Sequence, residues 1–138
     1  MNSDFSLAVH SLLLLAHHSE QMITSDVIAA SACVHPVRAR KILSLLCKNH
    51  YICSKEGAGG GFFLAKHATD IWLDELYQLI STGSLKPKCP KRNDDCLIGS
   101  NIEHVLEGIF SEAEKQVVKF LNGYNIADVL KLIKQEQN

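Results

Sequence analysis

Four glycines fall within five positions, Gly57 and Gly59 to Gly61, between two short stretches, Tyr51-Ile52-Cys53-Ser54 and Phe62-Phe63-Leu64-Ala65. A glycine cluster ends any helix and admits backbone conformations closed to other residues. Flanked by strand-forming residues, it predicts a β-hairpin with a mobile tip. A phosphate-cradling loop is the competing reading. It needs a Gly-Lys-Ser/Thr ending and a helix behind it, and here a strand follows instead.

Three helical patterns precede the hairpin. Phe5, Ala8, Val9, Leu12, Leu13 and Ala16 recur at spacings of three and four, which predicts an amphipathic helix over 5–18. Thr24 is a candidate N-cap for a second helix over 25–32, with Val27, Ile28 and Ala30 inward. His35-Pro36 opens a third, which runs to about Asn49, with proline at the favoured first position. Its inward stripe is Ala39, Ile42, Leu43, Leu46 and Cys47. Val37, Arg38, Arg40, Lys41, Ser44 and Lys48 face outward.

Three short helices and a hairpin follow the order of a winged helix-turn-helix, in which the third helix enters the major groove. The net charge of -1 argues at first against a nucleic-acid partner. Its distribution argues for one. Residues 34–66 hold Arg38, Arg40, Lys41, Lys48, Lys55 and Lys66 against Glu56 alone, while 1–33 and 69–138 are each net acidic. The competing reading of Arg38, Arg40 and Lys41 is a merely solvated helix face.

Downstream, Leu73, Leu76, Tyr77 and Ile80 predict a helix over 71–80. Thr82 to Asp95 lacks periodicity and reads as a loop. After Cys96, the residues Ile98, Ile102, Val105, Ile109, Ala113, Val117 and Phe120 form one apolar stripe over about six turns. That is more apolar surface than one small chain's core needs, so the stripe is a candidate dimerisation face, with packing against the first and last helices of the same chain expected beside it. Asn125 caps a last helix, with Ile126, Val129, Leu130 and Ile133 inward. The expected fold is mainly α with a small β-hairpin wing. Its expected parts are a DNA-binding unit (1–82), a cysteine-bearing loop (83–96) and dimerisation helices (97–138).

The longest apolar run, Leu12 to Ala16, is far too short for a membrane span, and no secretory leader pattern is present. Five cysteines are an odd number and do not read as a secreted disulfide framework. The expected setting is a reducing cytoplasm, with no membrane partner.

Several of these segments resemble the Rrf (BadM-type) family of bacterial transcriptional regulators, which includes the IscR, NsrR and CymR groups. They are Leu7-Ala8-Val9-His10, Ser25 to Ala29, Val34 to Leu46, Gly57 to Ala65 and Ile71 to Ile80, and the most specific is Gly59-Gly60-Gly61-Phe62-Phe63-Leu64-Ala65. The resemblance implies a homodimeric regulator, with the long helices packed on each other and two reading heads on a near-palindromic DNA operator. It places His35, Pro36, Val37, Arg38, Arg40 and Lys41 at the major groove and Lys55, Gly59 and Gly60 at the wing. Trp72 departs from the pattern by standing where Ser or Thr commonly caps a helix, so that helix is expected to fray or shift at its start.

Many relatives hold an iron–sulfur cluster through three loop cysteines. This chain has Cys89 and Cys96 only, spaced Cys-x6-Cys, so no cofactor or metal is expected, and a cluster is the disfavoured alternative. Cys33, Cys47 and Cys53 read as small core residues. Cys96 directly precedes the long helix, where unpaired N–H groups favour a thiolate, and Cys89 lies among Lys88, Lys91 and Arg92. Asp94 and Asp95 work against the Cys96 thiolate. A capping box at Ser100 to Glu103 would start the helix nearly a turn later. The expected sensor is Cys96, with Cys89 as resolving partner. Incidental surface thiols and control through a protein partner are the competing readings. A thiol-disulfide enzyme is disfavoured, because there is no Cys-x-x-Cys.

Overall fold

The structure, a computed structural model, describes residues 2–136. The elements are α1 (Asp4–His17), α2 (Ser25–Ala32), α3 (Pro36–Lys48), β1 (Ile52–Lys55), β2 (Gly61–Leu64), a 3-10 turn (Ala68–Asp70), α4 (Leu73–Ile80), α5 (Leu97–Leu121) and α6 (Ile126–Gln135). The fold is the expected one: mainly helical, with one antiparallel hairpin.

α1 lies at the centre and packs against α2, α3, α4, α6 and β2. Its burial is therefore wider than one amphipathic stripe. Leu7, Ala8, Ser11, Leu12 and Leu15 are fully enclosed, and Phe5, Val9, Leu13, Leu14 and Ala16 are packed around them. Buried Ser11 donates to the Leu7 carbonyl at 2.8 Å, so its hydroxyl is not stranded. On α2, Ile28 and Ala29 face the core, while Val27 and Ala30 point outward, against expectation. An eight-residue helix offers only one narrow face to its neighbours. The Thr24 cap, whose hydroxyl accepts from the Val27 N–H at 3.3 Å, sets the rotation that puts 28 and 29 there.

The hairpin pairs Ile52 with Leu64 and Lys55 with Gly61. Ile23 extends this sheet, because its backbone exchanges two hydrogen bonds with Phe62, at 2.8 and 3.1 Å. The close crossing explains Gly61. Its φ is +144°, and a Cβ there would come within 2.8 Å of the Ile23 carbonyl oxygen. The glycine cluster thus serves the wing's own backbone packing.

α4 begins at Trp72 with no side-chain cap, as expected, yet its start does not fray. The Leu73 N–H donates to the Tyr124 carbonyl at 2.9 Å, and Trp72 pairs with Asn125 across a β-bridge. A distant loop thereby replaces the missing local acceptor. Asn125 and Asp128 form a reciprocal capping box that starts α6. α6 then folds back along α1, and Ile126 joins the common core. Within the expected 97–138 grouping the two helices part in their packing: α5 lies along α4, while α6 lies along α1. α6 belongs with the reading head, because its N-terminal backbone is bonded to Ile71 and its apolar face meets α1.

α5 differs from every other helix in having no buried residue. It spans about 37 Å at 1.5 Å per residue. It lies along α4 and is held at mid-length by Glu114, which accepts from the Tyr77 hydroxyl (3.1 Å) and the Gly83 N–H. Among the described residues no helix is long and apolar enough to cross a membrane.

Candidate nucleic-acid interface and sensor loop

The turn between α2 and α3 closes on Cys33, which takes the left-handed conformation (φ 55°) and caps α2 through its N–H. Val34 then donates to the Ala29 carbonyl at 3.0 Å, locking the two helices into a fixed angle. His35 caps α3, its Nδ1 accepting from the Val37 N–H at 3.1 Å. The cap uses the Nδ1 lone pair, which puts the proton of the neutral ring on Nε2, and the residue is exposed.

Along α3, Val37, Arg40, Lys41, Ser44 and Lys48 are all exposed. Their spacing of three, one, three and four places them on a single face. No acidic residue lies on α3, and Arg40, Lys41 and Lys48 make no ion pair among the described residues. Arg38 stands off this face. Its guanidinium binds Asp4 at 2.8 Å and also Ser3, tying α3 to the start of α1. The cationic surface available to a polyanion is therefore narrower than the run of three cations suggested. It centres on Arg40 and Lys41, with Lys55 exposed on the wing and Gly59 at its tip. A side chain on Gly60 would run into the Lys55 carbonyl, so Gly60 holds the tip's shape.

Three cysteines were expected in the core. Cys33 and Cys53 are exposed instead, the first because it occupies the turn and the second because the strand's alternation turns it away from buried Ile52. Cys47 is half-buried, and burial pushes its thiol up, with Cys53 nearby adding to the effect.

The loop after α4 brings Cys96 to the N-cap of α5. Its Sγ accepts from the Gly99 N–H at 3.4 Å, so the helix starts at Leu97 rather than at Ser100. Ser100 donates instead to the Leu97 carbonyl. The loop crosses tightly here. Asn93 donates to the Gly99 carbonyl at 3.3 Å, and its Cβ occupies the space a Gly99 side chain would need. Arg92 pairs with Asp94 at 2.6 Å, offsetting one of the two acids next to Cys96. Cys89 is half-buried against the N-terminal turns of α5, in a groove with Gly99, Ile102, Glu103 and Glu107. Both thiols are free. Among the described residues no group of three or more His, Cys, Asp and Glu is gathered as a metal site, and the loop offers two thiols where a cluster takes more.

The apolar stripe of α5 is uncovered. Ile98 is 69% exposed, Val105 54%, Ile109 57% and Phe120 67%. Ile102 and Ala113 are exposed as well, and Val117 is half-buried. An apolar ridge of this length on a lone chain marks an interaction surface.

Comparison with known proteins agrees with this architecture. The Rrf2 family model, described as iron-dependent transcriptional regulator, matches residues 1–132. The chain is 28% identical over 131 residues to YwnA of Bacillus subtilis (strain 168), described as an HTH-type transcriptional regulator, covering 94% of this chain and 96% of that one. A crystal structure of a transcriptional regulator from Lactobacillus plantarum is similar at 30% identity and a TM-score of 0.81, covering 99% and 98%. T. potens IscR shares the fold at 22% identity and a TM-score of 0.76, covering 100% of this chain and 90% of that one.

Proposed function

This chain belongs to the Rrf2 family of transcriptional regulators, and on that premise we propose that it represses transcription as a homodimer on a near-palindromic operator, released by oxidation of Cys96. The observation that carries the DNA contact is the acid-free outer face of α3, set beside the wing. α3 enters the major groove, with Arg40 and Lys41 as the principal cations. Lys55 and the Gly59–Gly60 backbone reach phosphates from the wing. Arg38 positions α3 against α1.

Salt dependence separates these roles. Lys41→Gln is expected to lower the slope of log affinity against log salt by about 0.9, the effect of one lost phosphate contact. Arg38→Gln is expected to weaken binding with the slope unchanged. Fluorescence anisotropy on the gene's own upstream duplex reads both. An unchanged slope in the Lys41 variant removes that residue from the interface.

The sensing reading rests on Cys96 as a helix cap. A peroxide oxygen attacked by the Cys96 thiolate forms an S–O bond as the O–O bond breaks and hydroxide leaves. The resulting sulfenic acid condenses with the Cys89 thiol, releasing water and forming a disulfide. Either product removes the sulfur from the Gly99 N–H and disturbs the first turn of α5. Cys89 lines a groove with Gly99 and Ser100 of that first turn, so a bond between the two sulfurs redraws the loop at the helix start. The two reading heads then change their spacing.

The family's description as iron-dependent meets a donor set here that does not fit a cluster. We propose that this chain works without one. Protein purified anaerobically is expected to be colourless, and visible absorbance of a cluster would contradict this.

A further inference from the structure

We infer that each half-site carries a thymine and a guanine within one or two base steps, with Val37 reading the thymine methyl and Arg40 the guanine edge. This rests on the DNA-binding reading above and adds the bases to it.

Val37 is 58% exposed at the start of a helix whose other outward residues are cations and a serine. It packs no core. Its placement is nonetheless fixed. Pro36 precedes it, its N–H is tied to His35 Nδ1, and a β-branched side chain in a helix keeps essentially one χ1 rotamer. Valine has no donor or acceptor. The one feature of the major-groove floor that an aliphatic side chain can recognise is the 5-methyl group of thymine. The N-terminal turn of a recognition helix is the part that meets base edges.

Arg40 lies three residues on, on the same face. The rise between them is about 4.5 Å, against roughly 3.4 Å per base step, so the two side chains address neighbouring or next-neighbouring base pairs. Its guanidinium has no ion pair among the described residues. A planar fork matches guanine O6 and N7 as a bidentate acceptor pair. Lys41 takes a different part. It lines a groove with Asp4, Leu79 and Ile80, on the flank toward α4, where a point charge meets a phosphate.

The test starts from a random duplex library enriched by the purified, reduced chain. In an enriched duplex, thymine is replaced by uracil, which removes only the methyl group, and guanine by 7-deazaguanine, which removes N7. The wild type is expected to lose about fivefold or more in affinity with each change. Val37→Ala is expected to bind the thymine and uracil duplexes equally, and Arg40→Gln to ignore the 7-deaza change. Wild-type indifference to uracil, or a Val37→Ala chain that still prefers thymine, overturns the inference. If no duplex is enriched at all, the DNA-binding reading fails, which is a distinct outcome.

Discussion

Replacing Val105 and Ile109 together by glutamate is expected to leave the chain monomeric and to lower its operator affinity by about 100-fold or more. The two residues are 54% and 57% exposed and belong to a helix with no buried residue, so the reading head keeps its own core. In the proposed dimer, what they lose is a partner. A carboxylate buried in an apolar interface has no compensating charge and costs several kcal/mol. Two linked heads bind as one bivalent ligand, and separating them forfeits an avidity of about 10²–10⁴. Sedimentation of the double variant gives the mass, and titration of an operator duplex gives the affinity. A variant that still sediments as a dimer places the interface elsewhere.

The second large effect concerns Cys96. Diamide or peroxide is expected to weaken operator binding of the wild type by about tenfold or more, and Cys96→Ser is expected to bind equally before and after treatment. Serine is the informative substitution because a hydroxyl oxygen is itself a good N-cap acceptor. It keeps the bond to the Gly99 N–H that the sulfur makes at 3.4 Å and removes only the redox chemistry. Cys96→Ala removes both, and loss of a cap costs about 1 kcal/mol at the helix start. Comparing the two separates a signalling thiol from a structural one. Cys89→Ser tells whether a resolving thiol is needed. If it remains sensitive to peroxide, the sulfenic acid at Cys96 suffices. A Cys96→Ser chain that still releases DNA on oxidation removes Cys96 from sensing.

Local chemistry was readable from the sequence. Thr24, Pro36 and Asn125 mark helix starts through short-range capping, and the α3 face and the α5 stripe follow from periodicity alone. Contacts between segments distant in sequence were not. Arg38 reads as one of three equivalent cations until the fold brings Asp4 to 2.8 Å from it across 34 residues of chain. Trp72 reads as a missing cap until Tyr124 supplies a carbonyl. α1 reads as one stripe because periodicity cannot show that a helix is covered on several sides. Cys33 and Cys53 read as core residues because cysteine is usually buried, whereas a left-handed turn and strand alternation turn them outward. The start of α5 was ambiguous between Cys96 and Ser100. The crossing of Asn93 over Gly99 settles it at Cys96.

Two copies of the α3 face and its wing are expected to read DNA together. Hydroxyl-radical footprinting of the reduced chain on its own upstream region tests this most directly. Two protected segments related by a two-fold axis, with centres about 10 base pairs or a multiple apart, are the expected result. A single unrepeated patch, or no protection at any concentration that keeps the chain in solution, would contradict it.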